Sequence, residues 1–338
     1  MYKPKYRITP YLLKLVDEAS SLRAWIEGNT LQVSWLPVLQ REARTKNTHS
    51  STAIEGNPLT LNQVNAISRG EKTGVPQIHE KEVTNYLEAM HWIEKNAHTK
   101  ITEESFLNLH QMLTQNLLPA EASGKYKIKQ NFVANEKGVK IYTPPTPEET
   151  PGLVGELVSW LEKKETKDLH AILVCAILHH RLVSIHPFSD GNGRIARAIG
   201  TWLIFQRGYD THHIFSLDEF FAGNRQFYYQ KIEQARELDD DLTYWIEYVA
   251  EGIIKTLKDA KKRIEDLQVS SKHKLLLSPR QEELVRIIRD RPYINVAILR
   301  DEMKITRARI NQLITPLITS GLVAREGIGK ATRYRLYH

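Results

Sequence analysis

Cysteine is all but missing from this chain, whose 338 residues include one, Cys175. A single thiol excludes an internal disulfide and any cysteine-based zinc site, and its place in the apolar run Ala171–Leu178 predicts inert core. Long hydrophobic runs are missing too. That run is the most apolar of the chain and gives way to His179-His180-Arg181, well short of the roughly 20 apolar residues that cross a bilayer. The opening Met1-Tyr2-Lys3-Pro4-Lys5 lacks the apolar stretch of a secretory signal. The expectation is a cytoplasmic protein with no membrane partner. Nor does the composition favour disorder. With 41% apolar and 26% charged residues it is that of ordinary globular domains, and the length allows two or three of them.

Charge is unevenly spread. The net charge is +7, and from Leu275 to His338 twelve Lys and Arg face six Asp and Glu, an excess of +6. The basic surplus therefore belongs to the C-terminal segment.

Chemistry concentrates in His186-Pro187-Phe188-Ser189-Asp190-Gly191-Asn192-Gly193-Arg194-Ile195-Ala196-Arg197. Downstream, Ile195, Ala198, Ile199, Trp202 and Leu203 repeat at helical spacing before Gly208, which predicts a helix entered through the glycine-rich turn. Gly191 and Gly193 let the backbone turn tightly and bring its N–H groups close to a ligand. The helix N-terminus adds orphan donors and partial positive charge, so the turn suits phosphate. Arg194 and Arg197 fall on neighbouring helical positions and can both reach anionic oxygens. Asp190 beside phosphate is a natural Mg2+ ligand. His186 has the unperturbed pKa nearest neutrality, as a general base requires.

This string resembles the signature of the Fic family, H-P-F-x-[DE]-G-N-G-R-x-x-R, at every specified position. The resemblance implies a protein adenylyltransferase, which passes AMP from ATP to a hydroxyl side chain of a target protein with Mg2+ as cofactor. It implies that His186 deprotonates the attacking hydroxyl and that Asp190 holds Mg2+. Gly191, Asn192, Gly193 and Arg194 would cradle the phosphates, and Arg197 would hold the terminal one. A phosphotransferase relative departs at the second glycine of the turn, usually by lysine, and Gly193 argues against that chemistry. Transfer of UMP or phosphocholine, and removal of AMP by water activated near Glu55, use the same framework and stay open.

Upstream, Thr9-Pro10 opens an amphipathic helix over 9–27, with Leu12, Val16, Ala19, Leu22 and Ile26 inward and Gly28 at its end. A second helix is expected over 31–47, interrupted near Pro37. Ser51, Glu55 and Gly56 resemble the family's inhibitory motif, [ST]-x-x-x-E-[GN]. Gly56 followed by Pro58 is an ordinary helix stop, which puts Glu55 on the last turn. The helix dipole disfavours a carboxylate there, and a partner cation would offset the cost. The resemblance names Arg197 as that partner, so that Glu55 keeps the terminal phosphate from its productive pose.

Helices are further predicted over 79–97, from Thr102 to about Leu117, from Glu148 to about Lys164, over His170–Ile185 and over Thr243–Ile264. Asn85-Tyr86 followed by Ala89 recurs in the family without a derivable chemistry. The β-rich runs on either side of Asn135-Glu136-Lys137-Gly138 read as a hairpin. The resemblance makes it the flap beside the active site. Its edge, carried by Lys140, Ile141 and Tyr142, would clamp an extended target segment by main-chain hydrogen bonds. Tyr228 and Tyr229 resemble the tyrosines that line the family's adenine pocket. Phe188 is expected to point inward. Adjacent histidines on a helix point about 100° apart and cannot easily hold one ion, so His179-His180 and His212-His213 are read as structural or solvated.

A linker near Ser270–Lys274 precedes three helices, over Ser278–Asp290, from Asn295, and from Thr306 to Ser320 before Gly321. Strands at Leu322–Arg325 and Thr332–Leu336 flank Gly327-Ile328-Gly329, which completes the pattern of a winged helix-turn-helix. Thr306, Arg307 and Arg309 on the third helix, and Lys330, Arg333 and Arg335 on the wing, suit phosphate contacts. Asp301 and Glu302 lie near that face, so protein docking or self-association is favoured over DNA.

The expected fold is mainly α. An N-terminal helical region over 1–100 carries the inhibitory motif, a Fic-type helical core with a small β-hairpin flap covers 101–265, and a linker over 266–277 leads to a winged-helix domain over 278–338. The expected function is a self-inhibited adenylyltransferase acting on Ser, Thr or Tyr hydroxyls, its own included. ATP, a target protein and a second copy in a homodimer are its expected partners. The competing class is a DNA-binding regulator with a nucleotide-sensing domain, which a steep salt dependence of DNA binding would reveal.

Overall fold

A helix apolar on every side must be buried, and the stretch ending at His186 is. The computed structural model describes residues 2–28, 36–134, 138–210, 212–271, 277–319, 322–327, 329 and 332–336. In chain order its first elements are α1 (Pro10–Gly28), α2 (Leu36–Ile54), α3 (Leu61–Ser68), α4 (Gln77–Lys95), α5 (Glu103–Thr114), β1 (Val133–Ala134) and β2 (Lys140–Tyr142). They are followed by α6 (Thr150–Leu161), α7 (Lys164–Asp168), α8 (Ala171–Ile185), α9 (Asn192–Gln206), α10 (Leu217–Gly223), α11 (Arg225–Glu237) and α12 (Thr243–Ser271). The last are α13 (Pro279–Asp290), α14 (Val296–Met303), α15 (Arg307–Thr319), β3 (Val323–Glu326) and β4 (Arg333–Leu336). Residues 1–30 with 39–261, and residues 31–38 with 262–338, make two compact units.

In the first unit α8 lies along α9, α4 and α5 pack on α9, and α6 packs on α8. Ile172, Val174, Ile177 and Leu182 of α8 are fully buried, and each such side chain contributes about 1.5–3 kcal/mol. Two tryptophans fix the pair to its surroundings. Trp202 Nε1 donates to the Asn96 carbonyl at 3.0 Å, and Trp245 Nε1 to that of Ala176 at 2.7 Å. The short connection from α8 to α9 thus places the C-terminus of one helix beside the N-terminus of the other, which is where the site forms.

Several local expectations are refined. Thr9 caps α1, accepting the Leu12 N–H at 3.0 Å, but its buried face runs through Leu12, Leu15, Ala19 and Ile26, with Leu15 in the place given to Val16. Pro37 lies in the first described turn of α2. The expected start of that helix, over 31–35, falls outside the described residues. The helix expected over 148–164 is α6, a little shorter at both ends, and the short α7 follows it. The hairpin is short, pairing Val133 with Tyr142 and Ala134 with Lys140 across a register shift. Most of its expected turn, 135–137, lies outside the described residues, and Tyr126 and Ile128 belong to a loop.

The second unit has a core of its own, with Leu284, Ile288, Leu299, Ile310, Leu317, Val323 and Tyr334 buried. Ser278 and Gln281 form a reciprocal cap at the start of α13, and Asn295 caps α14. β3 and β4 pair antiparallel, Val323 with Leu336 through Glu326 with Arg333. Gly321, Ile328, Lys330 and 272–276 of the expected linker lie outside the described residues, while 266–271 of it continue α12. Among the described residues no helix is long and apolar enough to cross a membrane.

Candidate active site

The helix α8 ends because His186 adopts a left-handed backbone, φ 49° and ψ 57°. That conformation costs a non-glycine residue about 1–3 kcal/mol and persists only where the surroundings over-determine it. Here they do. Asn131 Nδ2 donates to the Phe188 carbonyl at 2.9 Å and to that of His186 at 3.4 Å, and the Lys127 N–H donates to Pro187 O at 2.9 Å. The Asn192 side chain closes the turn on itself, accepting the Phe188 N–H at 2.9 Å and donating to the Phe188 carbonyl at 2.8 Å. Phe188 points inward as expected, fully buried and stacked on His110 at 3.7 Å. His110 Nδ1 accepts the Gly124 N–H at 3.0 Å, so the ring proton is on Nε2, which donates to Asp190 O at 3.0 Å. Gly191 caps α9 at φ 80°, and a Cβ there would crowd Thr114.

The His186 ring is held neutral. Burial depresses its pKa to about 4, the Val183 carbonyl opposes that, and Lys127 and Arg236 add to the depression. Its Nδ1–H donates to Val183 O at 3.3 Å, which leaves Nε2 as the proton acceptor. A few residues on, the first helical bond of α9 runs from the Ile195 N–H to Gly191 O at 3.0 Å. The N–H groups of Asn192, Gly193 and Arg194 precede it and point out of the helix end. A base and an anion-binding turn are therefore adjacent.

The two arginines have different partners. Arg194 donates to Glu82 Oε1 at 2.7 Å and to Asp190 Oδ2 at 2.8 Å, and Asn57 Nδ2 holds the other Glu82 oxygen at 2.8 Å. Arg197 is completely buried, and its Nη2 meets Glu55 Oε1 at 2.7 Å. Ser51 supports it from below, its Oγ accepting from Nε at 2.7 Å and its carbonyl from Nη2 at 2.9 Å. Burial alone would lower the Arg197 pKa, but Glu55, Tyr228, Asp218 and Tyr86 together hold it well above the ordinary value. α2 stops as its sequence predicts, with the Gly56 N–H on Ala53 O at 3.0 Å and Gly56 at φ 97°. A Cβ on Gly193 would collide with Glu55 Oε1. The Glu55 carboxylate thus rests against the first turn of α9, where an anionic ligand would lie.

Residues 100–204 match the sequence profile of the Fic/DOC family. That segment is therefore similar to a Fic domain. The chain is 31% identical over 223 residues to the protein adenylyltransferase Fic of Nematostella vectensis, an alignment covering 64% of this chain and 48% of that protein. The Drosophila virilis protein of the same name is 28% identical over 250 residues, covering 73% and 48%. The chain spans about half the length of these curated relatives. Among solved structures, a Fic family protein from Desulfovibrio desulfuricans G20 superposes with a TM-score of 0.70 at 24% identity, over 99% of this chain and 98% of that one. Fic-1 from C. elegans does so at 0.63 and 24%, over 75% and 72%. At these identities the likeness is one of fold.

Other expected positions of the site need correcting. Tyr228 was expected against adenine, but it is buried to 1% exposure, its hydroxyl bonded to His179 Nε2 at 2.9 Å and its ring among Phe221 and Trp245. It has no open face for a base. Tyr229, 38% exposed, keeps one, with its hydroxyl on Ile54 O at 3.4 Å. On the hairpin Lys140 and Ile141 are exposed, but Tyr142 turns inward, donating to Ser184 O at 2.9 Å under the Arg236 guanidinium at 3.8 Å. Tyr142 therefore anchors the hairpin to the end of α8. The Asn192 side chain serves the turn itself, so only its backbone is left for a ligand. His180 Nε2 bonds Ile232 O at 3.2 Å and His213 stacks on Phe205 at 4.1 Å, structural roles for these two. Cys175 is core, its thiol pushed up to about 12 by burial.

Glu82, Asn57, His110 and Asn131 were not anticipated. Asn57 directly follows the inhibitory motif, and the other three are single polar residues far from the turn in sequence with no motif around them. Asn85 and Tyr86 gave a signal without a meaning. Asn85 Nδ2 bonds the Gln115 carbonyl at 2.8 Å beyond the end of α5, and Tyr86 OH donates to Asp218 at 2.9 Å.

Proposed function

We propose that this Fic domain transfers AMP from ATP to a Ser, Thr or Tyr hydroxyl of a target protein and of itself, and that Glu55 restrains it. The observation that supports the reading is His186, its Nδ1 tied back to Val183 O and its Nε2 left as acceptor, in the short turn that leads into the N-terminus of α9. The hydroxyl oxygen attacks the α-phosphorus, the bond to the bridging oxygen breaks, pyrophosphate leaves, and Nε2 takes the hydroxyl proton. In-line positioning and electrostatic stabilisation supply most of the rate in such transfers.

Arg197 faces the terminal phosphate in this reading, and Glu55 occupies its guanidinium in the resting protein. The backbone of Gly191–Arg194 and the Arg194 side chain line the remaining phosphates, and Tyr229 offers a ring to the base. Asp190 suits Mg2+, since its side chain is 62% exposed and Arg194 engages one oxygen. Among the described residues no cluster of three or more ligating side chains exists, which fits an ion held by one carboxylate and substrate phosphates. When bound, Mg2+ would neutralise phosphate charge. The exposed edge at Lys140 and Ile141 would receive an extended target segment.

The second unit reads as a winged helix used for docking to protein or to a second copy of the chain. Ion pairs Arg291–Glu302 at 2.5 Å, Arg300–Asp301 at 2.7 Å and Arg335–Glu326 at 2.6 Å cancel part of its positive charge, which weakens the case for DNA.

Intact-mass spectrometry of the Glu55→Gly protein incubated with ATP and Mg2+ tests the reaction. One added AMP is expected. A different added group would replace adenylyl transfer with the chemistry it reveals, and no added mass would count against self-modification.

A further inference from the structure

Arg194 lies between two carboxylates that differ in depth. Its Nη1 meets Glu82 Oε1 at 2.7 Å and its Nη2 meets Asp190 Oδ2 at 2.8 Å, with the Glu82 side chain 16% exposed and that of Asp190 62%. Arg194 Nε is buried and has no acceptor among the described residues. The Glu82 end is built in. Glu82 stands on α4 beside Val83, Asn85 and Tyr86, all fully buried, and α4 packs on α9. Its second oxygen accepts from Asn57 Nδ2 at 2.8 Å. Asn57 cannot turn over, because its Oδ1 accepts the Leu59 N–H at 3.1 Å and its Nδ2 also donates to His79 O at 3.2 Å. The Asp190 end stands at the opening of the site. Arg194 therefore has one fixed partner and one that can leave.

We propose that Glu82 is a positioning residue that keeps Arg194 neutralised and in place while Asp190 leaves it for Mg2+, which releases Nη2 to the phosphates. The inference rests on the proposed reading of the site as one for ATP and Mg2+. In the exchange Nη2 gives up a carboxylate oxygen and gains a phosphate oxygen, while Nη1 stays on Glu82. A buried cation stripped of its counter-charge is costly, so without the Glu82 charge Arg194 would hold on to Asp190 and compete with the metal ion for it. An arginine fixed along one edge also meets phosphate without first having to be ordered.

ATP binding measured over a series of Mg2+ concentrations tests the exchange, with the Glu55→Gly protein as parent. Glu82→Gln keeps the shape of the side chain but must turn its amide nitrogen toward one of two donors, Asn57 Nδ2 or Arg194 Nη1. It should raise the Mg2+ concentration that gives half-maximal ATP affinity about tenfold, the usual order for a hydrogen bond between charged groups. The parent's affinity should return at saturating Mg2+. Asn57→Ala, which leaves the Glu82 charge and removes one of its bonds, should shift the midpoint the same way by less, and serves if Glu82→Gln does not fold. Once Asp190→Asn is present no exchange remains, and adding Glu82→Gln should leave the Mg2+ dependence as it is. ATP weakened equally at every Mg2+ concentration would mean that Glu82 only supports the fold. The positioning role is also overturned by a midpoint unmoved in both Glu82→Gln and Asn57→Ala, or by a shift that persists with Asp190→Asn. A parent that binds no ATP at any Mg2+ concentration overturns the nucleotide reading itself, and the role of Glu82 with it.

Discussion

The turn over 186–197 and the helix end over 51–56 meet at Arg197, yet they are secured differently. The turn is tied from outside and within, by Asn131 on two carbonyls, His110 on a third, Lys127 on a fourth and Asn192 across Phe188. Those bonds hold a left-handed histidine in place before any ligand arrives. The Glu55 side chain reaches the turn through one carboxylate oxygen on Arg197. One half of the site is preorganised, and in the proposed reading the other half, Glu55, is a removable cover. Such an asymmetry would suit a restrained enzyme, whose catalytic geometry must survive release of the restraint.

The largest effect expected is on the turn. In the Glu55→Gly protein, His186→Ala should cut labelling by α-labelled ATP by about 10²–10⁴-fold, and labelling that persists would remove His186 as the base. On the cover the sign reverses. Glu55→Gly should raise labelling roughly 5–150-fold, the range of an ordinary coupling free energy between two states, and rates equal to the unaltered protein would mean that the ion pair restrains nothing.

Asn131→Ala probes the ties instead of the chemistry. It removes two donors from buried carbonyls and should cost about 1–3 kcal/mol of stability, with activity lost whether or not Glu55 is present. An effect seen only with Glu55 present would show that the turn is less rigid than its hydrogen bonds suggest. The smallest effect expected is on the pH profile. With the His186 pKa depressed to about 4, kcat/KM should be flat near neutrality and fall as the pH drops through about 4, not through the ordinary value near 6.5. The unfolded imidazole takes up a proton that the folded one refuses, so this residue also lowers stability as pH falls from about 6.5 to about 4. An acid limb close to 6.5 would show a ring better solvated than the fold implies.

The same contrast governs what could be read in advance. The turn was legible because its base, glycines and arginines are contiguous and each residue type has a reason to be there. The hydrogen bonds that hold it were not, because Glu82, His110 and Asn131 are isolated polar residues drawn in from other elements. Tyr228 and Tyr229 show the limit at a single step. Adjacent residues on a helix point about 100° apart, so one of the two had to face inward, but which one depends on Phe221, Trp245 and His179 arriving from elsewhere. Tyr142 is a similar case, because Ser184 and Arg236 claim it from outside its strand.

By itself the sequence determined the local conformations: an all-round apolar α8, a glycine-capped α9, and an α2 that must stop at Gly56. These depend on neighbours within a turn or two, whose sterics and hydrogen bonding are fixed by residue type. Only the tertiary structure decided that Glu55 rests on Gly193 and Arg197, and that Tyr86 meets Asp218. Partners more than a hundred residues apart are chosen by packing, and the burial that makes them matter exists only once the helices have closed over them.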